Sequence, residues 1–288
     1  MRTLAIFVAI VAMLSFAPAK GEAQAGDFLK QHLNSIGSEQ ARAAVKSRAV
    51  EGSLKFTLLD RNSGAQDGKE VFISEDNKSV ALLKLPNPSY HGERFVCDGK
   101  NKVEVAYIKP GTYSNLGAFV EVHQEILKEG LFGGTLSTGW ALTRIEQNHP
   151  KLQDQGVKKI NGKELHRLQY LPAKHSDLQI FLYFDPQTAR HVMTSYSLTI
   201  APGLGTTELE NAKQDYTRYY MEERFDDFKE VDGLQLPNKW TIQFTSDVPT
   251  DPNHPRLGIA ESSVSQFQAT VTAVHNNISL DPKNFEIR

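Results

Sequence analysis

Residues 71–108 read VFISEDNKSVALLKLPNPSYHGERFVCDGKNKVEVAYI, a series of short apolar runs broken by Leu85-Pro86-Asn87-Pro88 and by Cys97-Asp98-Gly99-Lys100. Val, Ile, Phe and Tyr suit a pleated, half-buried backbone, whereas Asn-Pro and Asp-Gly turn it. Runs this short, bounded by turn residues, spell an antiparallel meander. The same grammar extends to both sides. Val50, Leu54, Phe56 and Leu58 precede a polar turn at 62–68, and Asn161-Gly162 joins runs at 157–160 and 165–170, a strong hairpin signal. A third pair, 178–184 and 191–200, turns at Asp185-Pro186-Gln187-Thr188, and Asp232-Gly233 joins 219–231 to 236–244. A last run covers 263–274. Two stretches stand outside the pattern, a polar loop at 201–213 and a proline-rich excursion at 248–255.

The pattern breaks near its middle. After Pro110-Gly111, the residues Leu116, Phe119, Val120, His123, Ile126 and Leu127 recur at helical spacing, which predicts one amphipathic helix ended by Gly130. A glycine-punctuated linker over 131–139 leads to a short predicted helix through Trp140, Leu142 and Ile145. At the N-terminal side, Asp27 can cap a helix carrying Phe28, Leu29, Leu33 and Ile36, with Gly37 placed to stop it and Ser38 to cap a second. These elements predict an α+β chain, mainly antiparallel β, built on one sheet of about ten strands. A sheet of that width must curl or close to hide its faces and edges.

Arg2, the apolar run at 4–16 and the small-residue site Ala23-Gln24-Ala25 form an export signal with cleavage expected after Ala25. Residues 26–288 are then expected to form a single domain, long enough to bury a sizeable core. The 32 basic and 34 acidic residues leave a formal charge of −2, which gives no electrostatic case for nucleic acid as a partner. Cys97 is alone, so no intramolecular disulfide can form, and its expected role is that of a small buried apolar residue.

In several runs both faces are apolar: Phe181 and Tyr183 alternate with Ile180, Leu182 and Phe184, and Leu83 and Leu85 alternate with Val80 and Leu82. One face can pack a core while the other lines a concavity under the middle helix. Periodicity alone favours a filled core with that helix as a permanent lid. The short motifs add to this. Pro86-Asn87 and Asp98-Gly99-Lys100, the hairpin LYFDPQTARHVMTSYSL at 182–198 and DFKEVDGLQLP at 227–237 resemble elements of the LolA/LolB-type lipoprotein carriers, in the same order along the chain. That resemblance implies an unclosed half β-barrel with helices over its concave face, holding lipid or the acyl chains of lipoproteins in an apolar cavity in the periplasm. The cavity and lid residues it implies are Phe72, Leu83, Leu85, Val105, Tyr107, Phe119, Val120, His123, Ile126, Leu127, Trp140, Phe181 and Tyr183. In the carriers a basic residue precedes Pro-Asn and helps hold the lid. Here that position is Leu85, which cannot donate such bonds, so the carrier latch does not transfer.

Catalytic constellations are weak. His123-Gln124-Glu125 lacks the second histidine of a zinc-binding helix, and the glycines over 130–139 come without Gly-Lys-Ser/Thr. Gly134 to Gly139 has the wrong offset for a nucleophile elbow. The acidic run at 222–227 reads as a solvated strand face. The expectation is therefore a binding protein with no catalytic residues, metal or cofactor. Its expected partner is lipid or an acylated lipoprotein, with an envelope membrane protein as a further one. The alternatives are an envelope-stress sensor or scaffold of the same fold, then an exported hydrolase.

Overall fold

The structure, a computed structural model, describes residues 20–60, 64–100, 102–109, 111–201, 216–247 and 262–287. The apolar run at 4–16, the loop after Ala201 and the excursion at 248–255 lie outside them. The chain opens with α1 (Lys20–Ile36) and α2 (Glu39–Ala44) and continues through five strands, β1 (Ser47–Leu58), β2 (Gln66–Glu75), β3 (Lys78–Lys84), β4 (Gly92–Cys97) and β5 (Val103–Tyr107). Three short helices follow, α3 (Asn115–Val122), α4 (Glu125–Lys128) and α5 (Ile145–Asn148), with 3₁₀ turns at Gly134–Leu136 and Ala141–Thr143. Seven more strands complete the sheet: β6 (Lys151–Ile160), β7 (Lys163–Leu171), β8 (Gln179–Phe184), β9 (His191–Ile200), β10 (Thr217–Val231), β11 (Leu234–Asp247) and β12 (Ser263–Asn276).

All strands are antiparallel neighbours in one open sheet, in the order β5-β4-β3-β2-β1-β12-β11-β10-β9-β8-β7-β6. Two meanders thus run outward from the central β1–β12 pair, and the two edges, β5 and β6, are consecutive in sequence. The turn chemistry holds the register. Asn161 and Gly162 both take positive φ (49° and 83°), as do Asp232 and Gly233 (51° and 77°), closing two-residue loops between Ile160 and Lys163 and between Val231 and Leu234. Paired left-handed residues match the twist of the flanking strands. Pro237 sits in β11 before its pairing with β12 starts at Lys239, so its missing N–H breaks no ladder bond.

Among the described residues the sheet has twelve strands, not about ten. β4 is the strand least visible to apolar periodicity, because Glu93 and Arg94 interrupt it: Glu93 turns inward, while Arg94 on the outer face donates to the carbonyls of Asn284 and Glu286. The expected single helix over 116–127 is also two pieces. His123 leaves helical geometry (φ −102°, ψ 64°) between α3 and α4, and both pieces still bury their share of the stripe, Leu116, Phe119 and Val120 in one and Ile126 and Leu127 in the other. The first helix starts earlier than the expected Asp27 cap, so that Asp27 and Ala25 both lie inside α1. Ser38 does cap α2, accepting from the Ala41 N–H at 3.1 Å.

One large apolar cluster fills the concave side, and a second, small one sits on the convex side. There Ala49, Ile73, Val80 and Val96 receive Phe285, Leu280 and Ile287 of the C-terminal segment. Cys97 lies in the large cluster, and burial raises its thiol pKa, as expected of a small apolar residue.

The concave face and its covering segment

Because β5 and β6 are opposite edges joined by 108–150, that stretch must cross the sheet, and it does so over the concave face. Alternation decides what it meets. Val50 and Leu54 of β1, Phe72 of β2, Leu83 of β3, Phe95 of β4, Trp240 and Phe244 of β11 and Phe225 of β10 form an apolar floor. Phe119 packs on Phe244 and Phe132 on Trp240, with ring centroids 5.2 Å apart in each pair.

Charged residues interrupt the floor at intervals, and three of them tie the cover down. At its start, Glu93 accepts from the Ser114 N–H (2.6 Å) and hydroxyl (2.7 Å) and from the Tyr90 hydroxyl (2.9 Å), while Ser114 caps α3. In its middle, Glu223 accepts from the Gly133 N–H (2.8 Å), the Tyr196 hydroxyl (2.8 Å) and the Trp240 indole (2.9 Å). Gly133 has φ +77°, and a Cβ there would stand 2.7 Å from the Phe72 ring, so only glycine brings this N–H to Glu223 without strain. Next to it, Arg48 of β1 donates from Nη1 to the carbonyls of Thr135 (2.9 Å) and Leu136 (3.2 Å) and from Nε to Asn276 (2.8 Å). Trp140 completes the fastening by donating to His32 Nε2 of α1 at 2.9 Å, while His32 Nδ1 meets the Ala189 carbonyl at 3.0 Å.

Burial sets the charge of these groups. It pushes Glu223 up to about 7 against the pull of its three donors, and raises Glu93 above the usual carboxylate range. Burial also lowers Arg48 to about 10 and His32 to about 4, and holds His191, which stacks on Trp140 at 4.6 Å, well below the ordinary histidine value. Glu70 differs from the others. It points inward beside Gly52, both of its carboxyl oxygens are buried without a hydrogen-bond partner among the described residues, and burial pushes it up to about 8.

The sequence-expected residues fall into two sets. Phe72, Leu83, Leu85, Val105, Phe119, Val120, Ile126, Leu127 and Trp140 come together in the concave cluster, and His123 is buried beside it, its ring 4.7 Å from Phe119 and its Nδ1 3.6 Å from Glu125. Phe181, Tyr183 and Tyr107 are not in that cluster. On β8 the members are Ile180, Leu182 and Phe184, so Phe181 and Tyr183 face the other way; Arg167 lies over the Phe181 ring and Ser195 bonds the Tyr183 hydroxyl. Tyr107 pairs instead with the Tyr113 ring, 5.1 Å away.

Leu85 is buried and binds only through its backbone, its N–H donating to the His91 carbonyl. The acidic run is not a uniformly solvated face, since Glu222 and Glu223 are both buried. Glu70, Glu93, Glu223, Arg48 and His32 escape sequence reasoning, yet four of them share a signal: each stands two residues from an apolar neighbour on its own strand face, at Phe72, Phe95, Phe225 and Val50.

The concave side is closed by this packing. A cavity of about 240 Å³ lies beside the cover, between α2, the start of β1 and residues 135–143, and a polar one of about 310 Å³ lies among β12, β1 and β2. Of the expected cavity residues, only Trp140 lines either one. Among the described residues no helix is long and apolar enough to cross a membrane, and no group of three His, Cys, Asp or Glu could hold a metal ion.

No protein-family model and no curated protein matches the sequence. Solved structures do show likeness at low identity. A LolA superfamily protein from Nitrosomonas europaea is 12% identical, with 91% of this chain and 97% of that one covered and a TM-score of 0.47. A putative outer membrane lipoprotein-sorting protein domain from Vibrio parahaemolyticus is 9% identical over 91% and 97%, with a TM-score of 0.45. A DUF1329 family protein from Desulfovibrio piger is 9% identical over 91% and 96%, with a TM-score of 0.46. With TM-scores below 0.5 these likenesses do not carry a functional reading, which rests on the chain's own geometry.

Proposed function

We propose that the chain is an exported, single-domain envelope binding protein of the carrier type, which takes up lipid or the acyl chains of a lipoprotein between its sheet and the covering segment. The observation that carries this is the way the cover is held. An unclosed sheet presents a wide apolar face, and over it lies a segment of short helices and turns anchored at polar points that include the buried charges Glu93, Glu223 and Arg48. Apolar contacts are non-directional and can be exchanged for those of an acyl chain at roughly 25 cal/mol per Å² on either side. Polar ties are directional, so they define the closed state and the points at which it opens. In this reading Arg48 takes over the fastening that Leu85 cannot provide. The closed arrangement is then a cover resting in its own binding site, which a ligand displaces.

The test is uptake of a fluorescent long-chain acyl probe by protein purified without detergent, with lipid extracts of the same preparation read by mass spectrometry. Wild-type protein should take up the probe slowly. Arg48→Met, which removes the donors to Thr135 and Leu136, should exchange it faster. Absence of uptake in both proteins, with no extractable lipid, would refute the proposal.

A further inference from the structure

The cavity of about 240 Å³ beside the cover has a composition that the apolar face lacks. Its greasy wall is Ile36, Val45, Trp140 and Leu234, and facing it are two guanidinium groups, Arg42 from α2 and Arg48 from β1. Neither arginine is used up. Arg42 spends only Nε, on the Gly37 carbonyl at 3.2 Å. Arg48 spends Nε and Nη1, which leaves both N–H groups of Nη2 without a partner among the described residues although the residue is 3% exposed. Thr135, which also lines the cavity, has a buried hydroxyl with no hydrogen-bond partner among the described residues. A buried hydroxyl without a partner costs free energy unless something bonds to it, whereas Arg48 Nη2 is not shut away from solvent and is free to donate to an incoming group. The acidic groups nearby are Glu39 at the cavity and Asp232 acting on Arg48 from outside its lining, so the lining itself carries two positive charges against one negative.

From this arrangement we infer that the cavity is a binding site for the anionic head of an amphiphile, a phosphate or carboxylate group on an apolar stem. The terminal nitrogens of Arg42 match two oxygens of such a head and Arg48 Nη2 can reach a third, and charge-assisted bonds of this kind are roughly twice as strong as neutral ones. The volume is smaller than the ~300–1,000 Å³ of a pocket for a drug-sized molecule, which suits a head and the first part of a stem. A bound head would also bridge α2 and β1 to the covering loop through Thr135 and Trp140. The assignment does not depend on the cover lifting, because the cavity is already present in the closed protein.

Calorimetric titration with octyl phosphate tests it, with octanol and inorganic phosphate as the two half-probes and melting temperature as the check on folding. Octyl phosphate should bind at least about tenfold more tightly than either half-probe, a margin of about 1.4 kcal/mol. Its affinity should fall with rising salt, because Arg42, unlike the buried Arg48, is part-exposed and its contact is screened. Arg42→Gln, at a partly exposed position outside the three ties, should weaken it by about tenfold with little change in melting temperature. Octanol or inorganic phosphate binding as tightly as octyl phosphate would overturn the assignment. So would an affinity that ignores salt, or one that survives Arg42→Gln. Because the long-chain probe reports the concave face and octyl phosphate this cavity, failure of one does not imply failure of the other.

Discussion

Glu70 offers the most decisive check on the electrostatics of the concave face. Its carboxyl oxygens have no partner among the described residues, it is 1% exposed, and one oxygen occupies the space above Gly52, where an added Cβ would come within 2.8 Å of it. Such a group is tolerated as the neutral acid and penalised as the anion. The sign follows from linkage. Burial raises the folded-state value from 4.5 to about 8, so between those values the folded protein holds a proton that the unfolded chain has released. Stability is therefore highest below about pH 4.5, falls as pH rises toward 8, and is flat beyond it as far as this group is concerned. At about 1.36 kcal/mol per pH unit the gap is worth about 5 kcal/mol, a large part of the ~5–15 kcal/mol typical of a domain. Glu70→Gln keeps the shape and removes the titration. Urea denaturation at pH 5, 7 and 9 should then show the variant gaining on the wild type by several kcal/mol between pH 5 and pH 9. Glu93 and Glu223 titrate in the same direction but are common to both proteins and cancel in the difference. A gap between variant and wild type that changes by less than about 1 kcal/mol over this range would refute the reasoning.

Two further outcomes follow from the ties. Gly133→Ala forces a side chain into the Phe72 ring at φ +77° and should cost about 1–3 kcal/mol, read as a lower melting temperature together with faster amide exchange at residues 131–142. Trp140→Phe keeps much of the packing on His191 but leaves the buried His32 Nε2 without its donor, which should cost about 1–3 kcal/mol in denaturant titrations.

Most strands and turns were legible because each is a local statement. Asn161-Gly162 and Asp232-Gly233 name their own loops, and the two-residue alternation through 180–184 shows two faces. What alternation cannot say is which face is inside. Phe181 and Tyr183 are as apolar as their neighbours, and the choice fell to Ile180, Leu182 and Phe184 through packing with α1 and β9, information spread over the whole sheet. The charged ties were hidden for the opposite reason. Glu223 lies in a run of acids that looks solvated when read residue by residue, whereas read in steps of two it belongs with Met221 and Phe225 on the buried face. A charge in register with an apolar face is the signal that could have found Glu70, Glu93 and Arg48 as well.

The topology explains why those charges are where they are. A sheet whose first and last strands pair at its centre leaves as its edges the two strands joined by the mid-chain segment. That connection has to span the sheet, and α3, α4 and the 3₁₀ turns are too short to be stable alone, since helices below about 12–15 residues are marginal in water. Their order comes from the face they cover. Apolar contact can supply the free energy but not the position, because many placements of short apolar pieces on a broad apolar floor bury similar area. Glu93, Glu223 and Arg48 select one placement by giving directional partners to backbone groups of the cover, at Ser114, Gly133, Thr135 and Leu136. Two of the three fix the loop around 133–136 and one fixes the start of α3. The end of the cover at 145–150 has none of these three ties and is held instead through Glu129, whose carbonyl accepts from the Asn148 side chain and whose carboxylate accepts from the Tyr170 hydroxyl of β7.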